Sequence, residues 1–266
     1  MEKYLIVLTT SWQNELIYRL NFILWRFRNI LRFLMTYFLW FGIFVSTNQV
    51  FGYSQPQMFT YVFMVLVVST LVLSAPSADN IGGEIANGDL SNYLVKPINY
   101  LKYWFARDLS SKALNLSFAI FEVGILWFIL KPNFQILPSI GTFVFFLISL
   151  VLAILINYLV SVTARSVAFW TPESTWGISF VILVFVETLA GGIFPLDILP
   201  NWVSNILQFT PFPYLLYYPV AIFLGKITGF NLVRILLQAF AWFLVMLWVT
   251  KVVWHKGLKV YGSEGR

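Results

Sequence analysis

The sequence predicts an all-α, polytopic membrane protein with six transmembrane helices, an N-terminal interfacial helix and a re-entrant, outer-leaflet helical hairpin before the last span. Composition is the first observation, because 59% of the 266 residues are hydrophobic and only 11% are charged. A soluble domain of this size has to cover its surface with more polar residues than that. The second observation is a series of six long apolar stretches, since about 20 helical residues cross a hydrocarbon core of roughly 30 Å. The predicted spans are residues 33–47, 58–75, 113–130, 140–162, 176–194 and 232–250.

The positions of Lys and Arg predict the orientation of these spans. If the N-terminus is cytoplasmic, 14 of the 17 Lys and Arg residues lie inside, and Lys131, Lys226 and Arg234 lie outside. Membrane insertion retains basic residues on the cytoplasmic side, so both termini are predicted to be cytoplasmic. The formal net charge of +6 follows from this asymmetry and favours contact with anionic membrane lipids. We therefore do not expect a nucleic-acid partner.

Residues 1–28 are interpreted as a helix that lies in the cytoplasmic interface of the membrane. Apolar residues recur at steps of three and four along this segment, at Leu5, Leu8, Trp12, Leu16, Leu20 and Ile23. Polar and basic residues, such as Lys3 and Arg26, lie off this stripe and are expected to face lipid headgroups. The alternative is that the segment forms the tilted first part of the opening span. Its scattered charges argue against a cleavable signal peptide.

The long cytoplasmic segment 76–112 contains short amphipathic patterns. Ile81 and Ile85 share one helical face, as do Leu90, Tyr93 and Leu94. Such stripes pack either against the protein's own helix bundle or against a soluble partner, and their spacing alone leaves both possibilities open.

The outer segment 191–229 is apolar but contains five of the eleven prolines, at Pro195, Pro200, Pro211, Pro213 and Pro219. Proline interrupts a helix, so this segment cannot form one straight span. We expect short helices that enter the outer leaflet and turn back, because irregular backbone at membrane depth has to be buried in protein or face a wet cavity.

Several chemistries have no support in the sequence. No Walker A motif is present, so we expect no ATPase activity on this chain and name no catalytic residue. His255 is the sole histidine, and with no cysteine in the chain we expect neither a metal site nor a disulfide.

Glu122 and Glu187 are carboxylates within predicted spans, where a charge is costly and therefore needs a partner. One hypothesis gives them a proton-carrying or substrate-contacting role. The other, which we favour, is that each forms a hydrogen bond to a neighbouring helix, since no Lys or Arg is predicted within the spans.

Two regions of the sequence resemble type-2 ABC transporter permeases. The string GIFPLDILPNW at 192–202, with TPFPY at 210–214, resembles the end of the fifth helix and the re-entrant hairpin in that family. The strings GEIANGDL at 83–90, LVKP at 94–97 and WFAR at 104–107 resemble the coupling region of a bacterial branch, and GLKVY at 257–261 resembles its C-terminal end.

The resemblance covers the whole chain as one permease domain and implies a role for two groups of residues. It implies that ATPase coupling involves Ile81, Glu84, Ile85, Gly88, Asp89, Leu90, Leu94 and Pro97. It implies that an extracellular gate is formed by Gly191, Gly192, Phe194, Pro195, Leu199 and Pro200.

The resemblance also implies an ATP-driven exporter in the bacterial plasma membrane. The permease would dimerise with a second copy or a similar permease, and separate ATPase subunits would bind ATP and Mg. No cofactor is expected on this chain, and the motifs do not identify the substrate. The alternatives are a proton-coupled secondary transporter that uses Glu122 or Glu187, and an intramembrane lipid-linked transferase.

Overall fold

The computed structural model describes residues 2–17, 19–76, 81–134 and 138–262. The α-helices in these ranges are α1 (Glu2–Ile17), α2 (Arg19–Phe44), α3 (Gln55–Leu73), α4 (Ile81–Ala86), α5 (Ser91–Leu94), α6 (Tyr100–Leu130), α7 (Ile140–Arg165), α8 (Thr175–Leu189), α9 (Asn201–Leu207), α10 (Tyr217–Phe223) and α11 (Gly229–Val260). A two-stranded antiparallel hairpin, β1 (Gln49–Val50) and β2 (Tyr53–Ser54), follows α2. Single 3-10 turns occupy Ser166–Phe169, Pro172–Ser174, Leu196–Ile198 and Phe212–Tyr214.

Within the described residues, five helical segments are long and apolar enough to cross a membrane, which confirms an all-α, multi-pass membrane protein. They are Gln55–Leu73, Tyr100–Leu130, Ile140–Phe169, Pro172–Leu189 and Gly229–Val260. These helices overlap the second to sixth predicted spans. The first predicted span begins within α2, which ends at Phe44, three residues before the predicted end of that span at residue 47. Helix α2 is not among the five and carries Arg26, Arg28 and Arg32. The count of six spans therefore stays a prediction.

Several predicted boundaries are wrong. Helix α11 continues to Val260, ten residues past the predicted end of the sixth span at residue 250. The fifth span was expected to reach residue 194, but α8 ends at Leu189 because Gly191 adopts a left-handed φ of +83°. The third span was expected to begin at residue 113, but α6 begins at Tyr100, with the Asn99 side chain accepting a 3.0 Å hydrogen bond from the Lys102 N–H. The charges that suggested a loop before residue 113 are compatible with the helix because Lys112 and Asp108 form an ion pair of 3.0 Å across one turn.

The N-terminal segment does not form the single interfacial helix that we predicted. Residues 19–28 belong to α2 and continue into the first predicted span. For these residues the alternative interpretation, the first part of the opening span, agrees with the structure. The preceding helix α1 packs along α6, where the Ser110 hydroxyl donates to the Leu8 carbonyl oxygen at 2.7 Å. Leu5 remains 63% exposed. Contact of this exposed apolar face with lipid stays a prediction.

Helix α3 forms the centre of the bundle. It packs against α2, α6, α7 and α10, and its residues Met58, Val68 and Val72 are completely buried. Helix α11 packs along the opposite side of α7, where the Thr163 and Thr250 hydroxyls lie 2.8 Å apart. The outer segment is broken into short helices as predicted, and α10 packs against both α3 and α7. Its insertion into the outer leaflet stays a prediction.

The predicted orientation can be tested with single cysteines, because the chain has no cysteine of its own. Asn133 and Asn201 are exposed at one end of the bundle, and Asn92 is exposed at the other. We expect Asn133→Cys and Asn201→Cys to react with a membrane-impermeant maleimide in intact cells. We expect Asn92→Cys to react only after the cells are opened. Labelling of Asn92→Cys in intact cells would reverse the orientation and place the 81–97 segment outside.

Candidate functional site

A cavity of about 480 Å³ lies between α2, α3 and α8. Its outer end is at Gly192 and Thr36, and its other end, predicted to be cytoplasmic, is at Pro76 and Arg165. The wall from α3 extends from Val62 to Leu73 and beyond, which corresponds to a length of about 17 Å at the rise of an α-helix. The cavity thus extends from the inner end of the bundle over more than half of the length of α3. We refer to this cavity as the groove.

Charged side chains line the groove, although most of the bundle is apolar. Arg28 and Arg32 enter it from α2, Glu187 from α8 and Arg165 from the end of α7. The Arg32 Nη1 donates a 2.7 Å hydrogen bond to the Glu187 Oε1, and the Arg28 Nη2 lies 3.7 Å from the same oxygen. Two guanidinium groups therefore share one carboxylate.

A second ion pair joins α2 to α6 outside the groove. The Arg26 guanidinium binds both oxygens of the Glu122 carboxylate and lies 3.4 Å from the Asn115 Oδ1. Only 6% of the Arg26 side chain is exposed. Our prediction that Arg26 faces lipid headgroups is therefore wrong, and so is the prediction that no Lys or Arg is available to pair with the two glutamates. The favoured interpretation of Glu122 as a brace between helices agrees with this geometry.

The turn after α8 lines the predicted outer end of the groove. Gly191 is buried, and its carbonyl oxygen accepts a 2.6 Å hydrogen bond from the Tyr61 hydroxyl, while the Ile193 carbonyl oxygen accepts one of 3.2 Å from the Trp40 indole. A Cβ atom on Gly192 would lie 2.6 Å from the Arg32 Nη2, so only glycine permits the close approach of Arg32. The turn is thereby attached to both α2 and α3. Among the other predicted gate residues, Pro195 is buried, Phe194 and Leu199 are half-buried, and Pro200 is exposed.

The hairpin after α2 is attached to the same outer segment. Tyr53 is completely buried and its hydroxyl donates to the Asp197 carboxylate at 2.9 Å. Burial and the nearby carboxylate raise the pKa of Tyr53, so the hydroxyl retains its proton as a donor. Lys226 forms a 3.4 Å ion pair with the same Asp197. These contacts border a separate, polar outer pocket of about 330 Å³, which also contains Arg234 and Gln238.

At the inner end, α4 is held by a network around the Glu84 side chain. Its carboxylate accepts hydrogen bonds from the Tyr100 hydroxyl at 2.5 Å and the Trp104 indole at 3.1 Å. The Arg107 guanidinium lies 3.8 Å from the other oxygen. Glu84 thus binds groups of its own chain.

Three of the apolar residues predicted to contact an ATPase are also turned inward. Ile81 and Ile85 are 2% exposed and Leu90 is fully buried, in a cluster with Trp104 and Phe169. Of the two possibilities left open by their spacing, packing against the protein's own bundle is the one observed. Gly88 is buried as well, with a left-handed φ of +82°. The solvent-exposed residues of this segment are Asn87, Asp89, Asn92, Leu94, Val95, Lys96 and Pro97.

The groove was missed by our sequence reasoning, although α2 carries a signal for it. Trp25, Arg28, Arg32 and Thr36 recur at steps of three and four, which places them on one helical face. This polar stripe continues into an apolar span, and it indicates a face that is turned away from lipid.

Comparison with known proteins places this bundle in a family. A family model described as an ABC-2 family transporter protein matches residues 30–265, which include every helix from α3 to α11 and most of α2. Comparisons with curated proteins and with solved structures find no match. Because the family model covers most of the chain, the resemblance noted in the sequence is confirmed, and the chain belongs to the ABC-2 family of transporter proteins.

Proposed function

We propose that this chain is the membrane-spanning permease of an ATP-driven exporter and that it works with a second permease half and separate ATPase subunits. Membership of the ABC-2 transporter family supports the permease role. The observation that supports the direction of transport is the position of the groove, whose lining extends from Pro76 and Arg165 at the predicted cytoplasmic end to the buried Gly192. Such a site loads from the cytoplasm or the inner leaflet and has to open at the outer turn to release its substrate.

A second permease half would complete the groove. Helix α8 forms one wall, yet Val186 is its only buried residue. Trp176 is 78% exposed, and on α2 Met35 is 73% exposed. A second copy seated against α2 and α8 would enclose the groove between the two halves, so that one chain alone would not transport.

The surface proposed to bind the ATPase is the exposed edge at residues 87–97. This edge directly follows α4, and α4 packs against the turns Ser166–Phe169 and Pro172–Ser174 and against α8. Because α8 forms a wall of the groove, a displacement of this edge would be transmitted through packed contacts to the proposed substrate site. This arrangement gives coupling a physical route although Ile81 and Ile85 are buried.

The proton-carrier alternative now depends on Glu187 alone. Glu122 does not line the groove, and a guanidinium binds both of its oxygens. Glu187 does line the groove, but it is shared by Arg28 and Arg32. This arrangement favours a structural role, and it does not favour a secondary transporter over an ATP-driven one.

One prediction of this proposal concerns the exposed edge at residues 87–97. Val95 is 85% exposed, so Val95→Asp should leave the bundle folded while removing an apolar contact and adding an unmatched charge. We expect the variant to lose at least about tenfold in affinity for the ATPase. Co-purification from membranes and binding to the isolated ATPase measure this loss.

The matched control is Val45→Asp, because Val45 is 75% exposed after α2 at the opposite end of the bundle. This control should bind the ATPase like the unmodified chain. Equal binding by Val95→Asp and the control would show that the 87–97 edge is not the docking surface.

Another prediction concerns the buried side chains of the 81–97 segment. Ile85 lies in the cluster with Trp104 and Phe169, so Ile85→Asp places an unpaired charge in an apolar site. We expect a loss of more than about 4 kcal/mol in stability, seen as a large fall in the melting temperature of the purified chain. Val95→Asp should change that temperature little. A stable Ile85→Asp chain that fails only in ATPase binding would instead restore the hypothesis of apolar docking.

A further inference from the structure

The described residues that line the groove carry more positive than negative charge, which favours an anionic ligand. Among the described residues, the groove is lined by three arginines, Arg28, Arg32 and Arg165, and by the one carboxylate of Glu187. The hydrogen bond from Arg32 pairs one of these positive charges with Glu187. Within the part of the chain that the structure describes, two guanidinium groups therefore exceed the carboxylates that line the groove.

The Arg28 guanidinium is held in place, but the described residues do not occupy all of its N–H donors. Its guanidinium lies 4.0 Å above the centre of the Trp25 ring, which fixes one face by a cation–π contact. The nearest carboxylate oxygen, on Glu187, is at 3.7 Å and is already bound by Arg32. The Arg28 side chain is 45% exposed. Its remaining N–H donors therefore face the open space of the groove.

Arg165 contributes the second excess charge, from the last turn of α7. Within the described residues it makes no ion pair. The nearby Asp108 is ion-paired with Lys112 at 3.0 Å, so that carboxylate is already matched by another cation. The planar guanidinium presents donors in a fork that fits phosphate or carboxylate oxygens.

The remaining wall of the groove is mainly apolar. Val62, Val65 and Leu66 line it from α3, and Phe180 and Leu183 line it from α8. The Trp176 and Phe180 rings are stacked with centroids 5.4 Å apart near the predicted inner end. These surfaces suit a hydrocarbon or another apolar body, and an oxyanion next to the arginines would compensate charges that are costly at membrane depth.

We propose that the groove binds anionic amphiphiles, with a phosphate or carboxylate head on Arg28 and Arg165 and an apolar body along α3 and α8. This inference rests on the proposed function, because it identifies the substrate class of the same groove. The chemistry is shared by membrane phospholipids and by soluble single-chain amphiphiles. The test therefore includes a probe from each source.

The experiment measures binding to the permease alone, in nanodiscs of phosphatidylcholine. The probes are phosphatidic acid with a fluorescent tail and diacylglycerol with the same tail, which lacks the charge. Dodecyl phosphate and inorganic phosphate serve as competitors. We expect phosphatidic acid to bind at least about tenfold more tightly than diacylglycerol. We expect dodecyl phosphate to compete and inorganic phosphate to have little effect, because it lacks an apolar body.

Dodecyl phosphate distinguishes a soluble amphiphile from a membrane lipid as the ligand. Inorganic phosphate tests whether the apolar wall of the groove contributes to binding. Tighter binding of the two-chain lipid supports a membrane lipid as the natural ligand, and tighter binding of dodecyl phosphate supports a soluble amphiphile. Equal competition by inorganic phosphate would show that the apolar wall contributes nothing. Equal binding of phosphatidic acid and diacylglycerol would show that charge contributes nothing. Either of these last two results overturns the proposal.

Variants that remove either a positive or a negative charge from the groove distinguish a loss of ligand binding from damage to the fold. Arg28→Gln and Arg165→Gln should each weaken phosphatidic acid binding about tenfold. Glu187→Gln should strengthen it, because the amide still accepts the Arg32 hydrogen bond while one negative charge is removed. Lys251→Gln is the control, since Lys251 is exposed on α11 and does not line the groove. If Glu187→Gln weakens binding together with the two arginine variants, charge does not select the ligand and the inference is wrong.

Failure of this inference can be distinguished from failure of the proposed function. The binding experiment contains no ATPase. Loss of charge selectivity in a permease that still co-purifies with an ATPase would refute the ligand class alone. Selective binding by a permease that recruits no ATPase would instead refute the ATP-driven mechanism and leave the ligand class standing.

Discussion

The ion pairs made by α2 are the constraint on which the rest of the structure depends. A charge in a lipid-surrounded bundle is tolerated only with a partner, and α2 carries four arginines within its first four turns. Arg26 binds Glu122 on α6, and Arg32 binds Glu187 on α8. These two pairs fix both the position and the rotation of α2. With α2 rotated in this way, Arg28 and the polar stripe beside it face α8 and form the groove.

The two ends of the groove are stabilised by different contacts, which fits a transporter that opens at one end at a time. The outer turn is attached by the Tyr61 and Trp40 hydrogen bonds to backbone carbonyl groups. The inner end adjoins α4, which is held by the aromatic donors around Glu84. In the proposed mechanism, force on the exposed 87–97 edge passes through α4 to α8. The same helix ends at the outer turn, so α8 connects the two ends.

The sequence predicted the apolar helices well because apolar length is a local property. Helices α3 and α7 lie close to the predicted spans, and the prolines correctly indicated a broken outer segment. The partners of charged groups were not predictable in this way, because Arg26 and Glu122 are separated by 96 positions in the chain. The buried state of Ile85 was also undecided from spacing, since the same stripe fits the protein's own bundle or a partner. Pairing and burial of this kind depend on the tertiary arrangement.

The central claim, that α2 is fastened inside the bundle by ion pairs, is tested most directly by a double-mutant cycle on Arg26 and Glu122. Removal of one partner of a buried pair typically costs about 3 to 5 kcal/mol, whereas replacing both by apolar residues of similar size is often nearly neutral. We predict a large fall in melting temperature for Arg26→Met and for Glu122→Met, and recovery of most of it in the double variant. Additive falls in the double variant, or no fall for Arg26→Met, would mean that Arg26 does not depend on Glu122 and that α2 is held by other contacts.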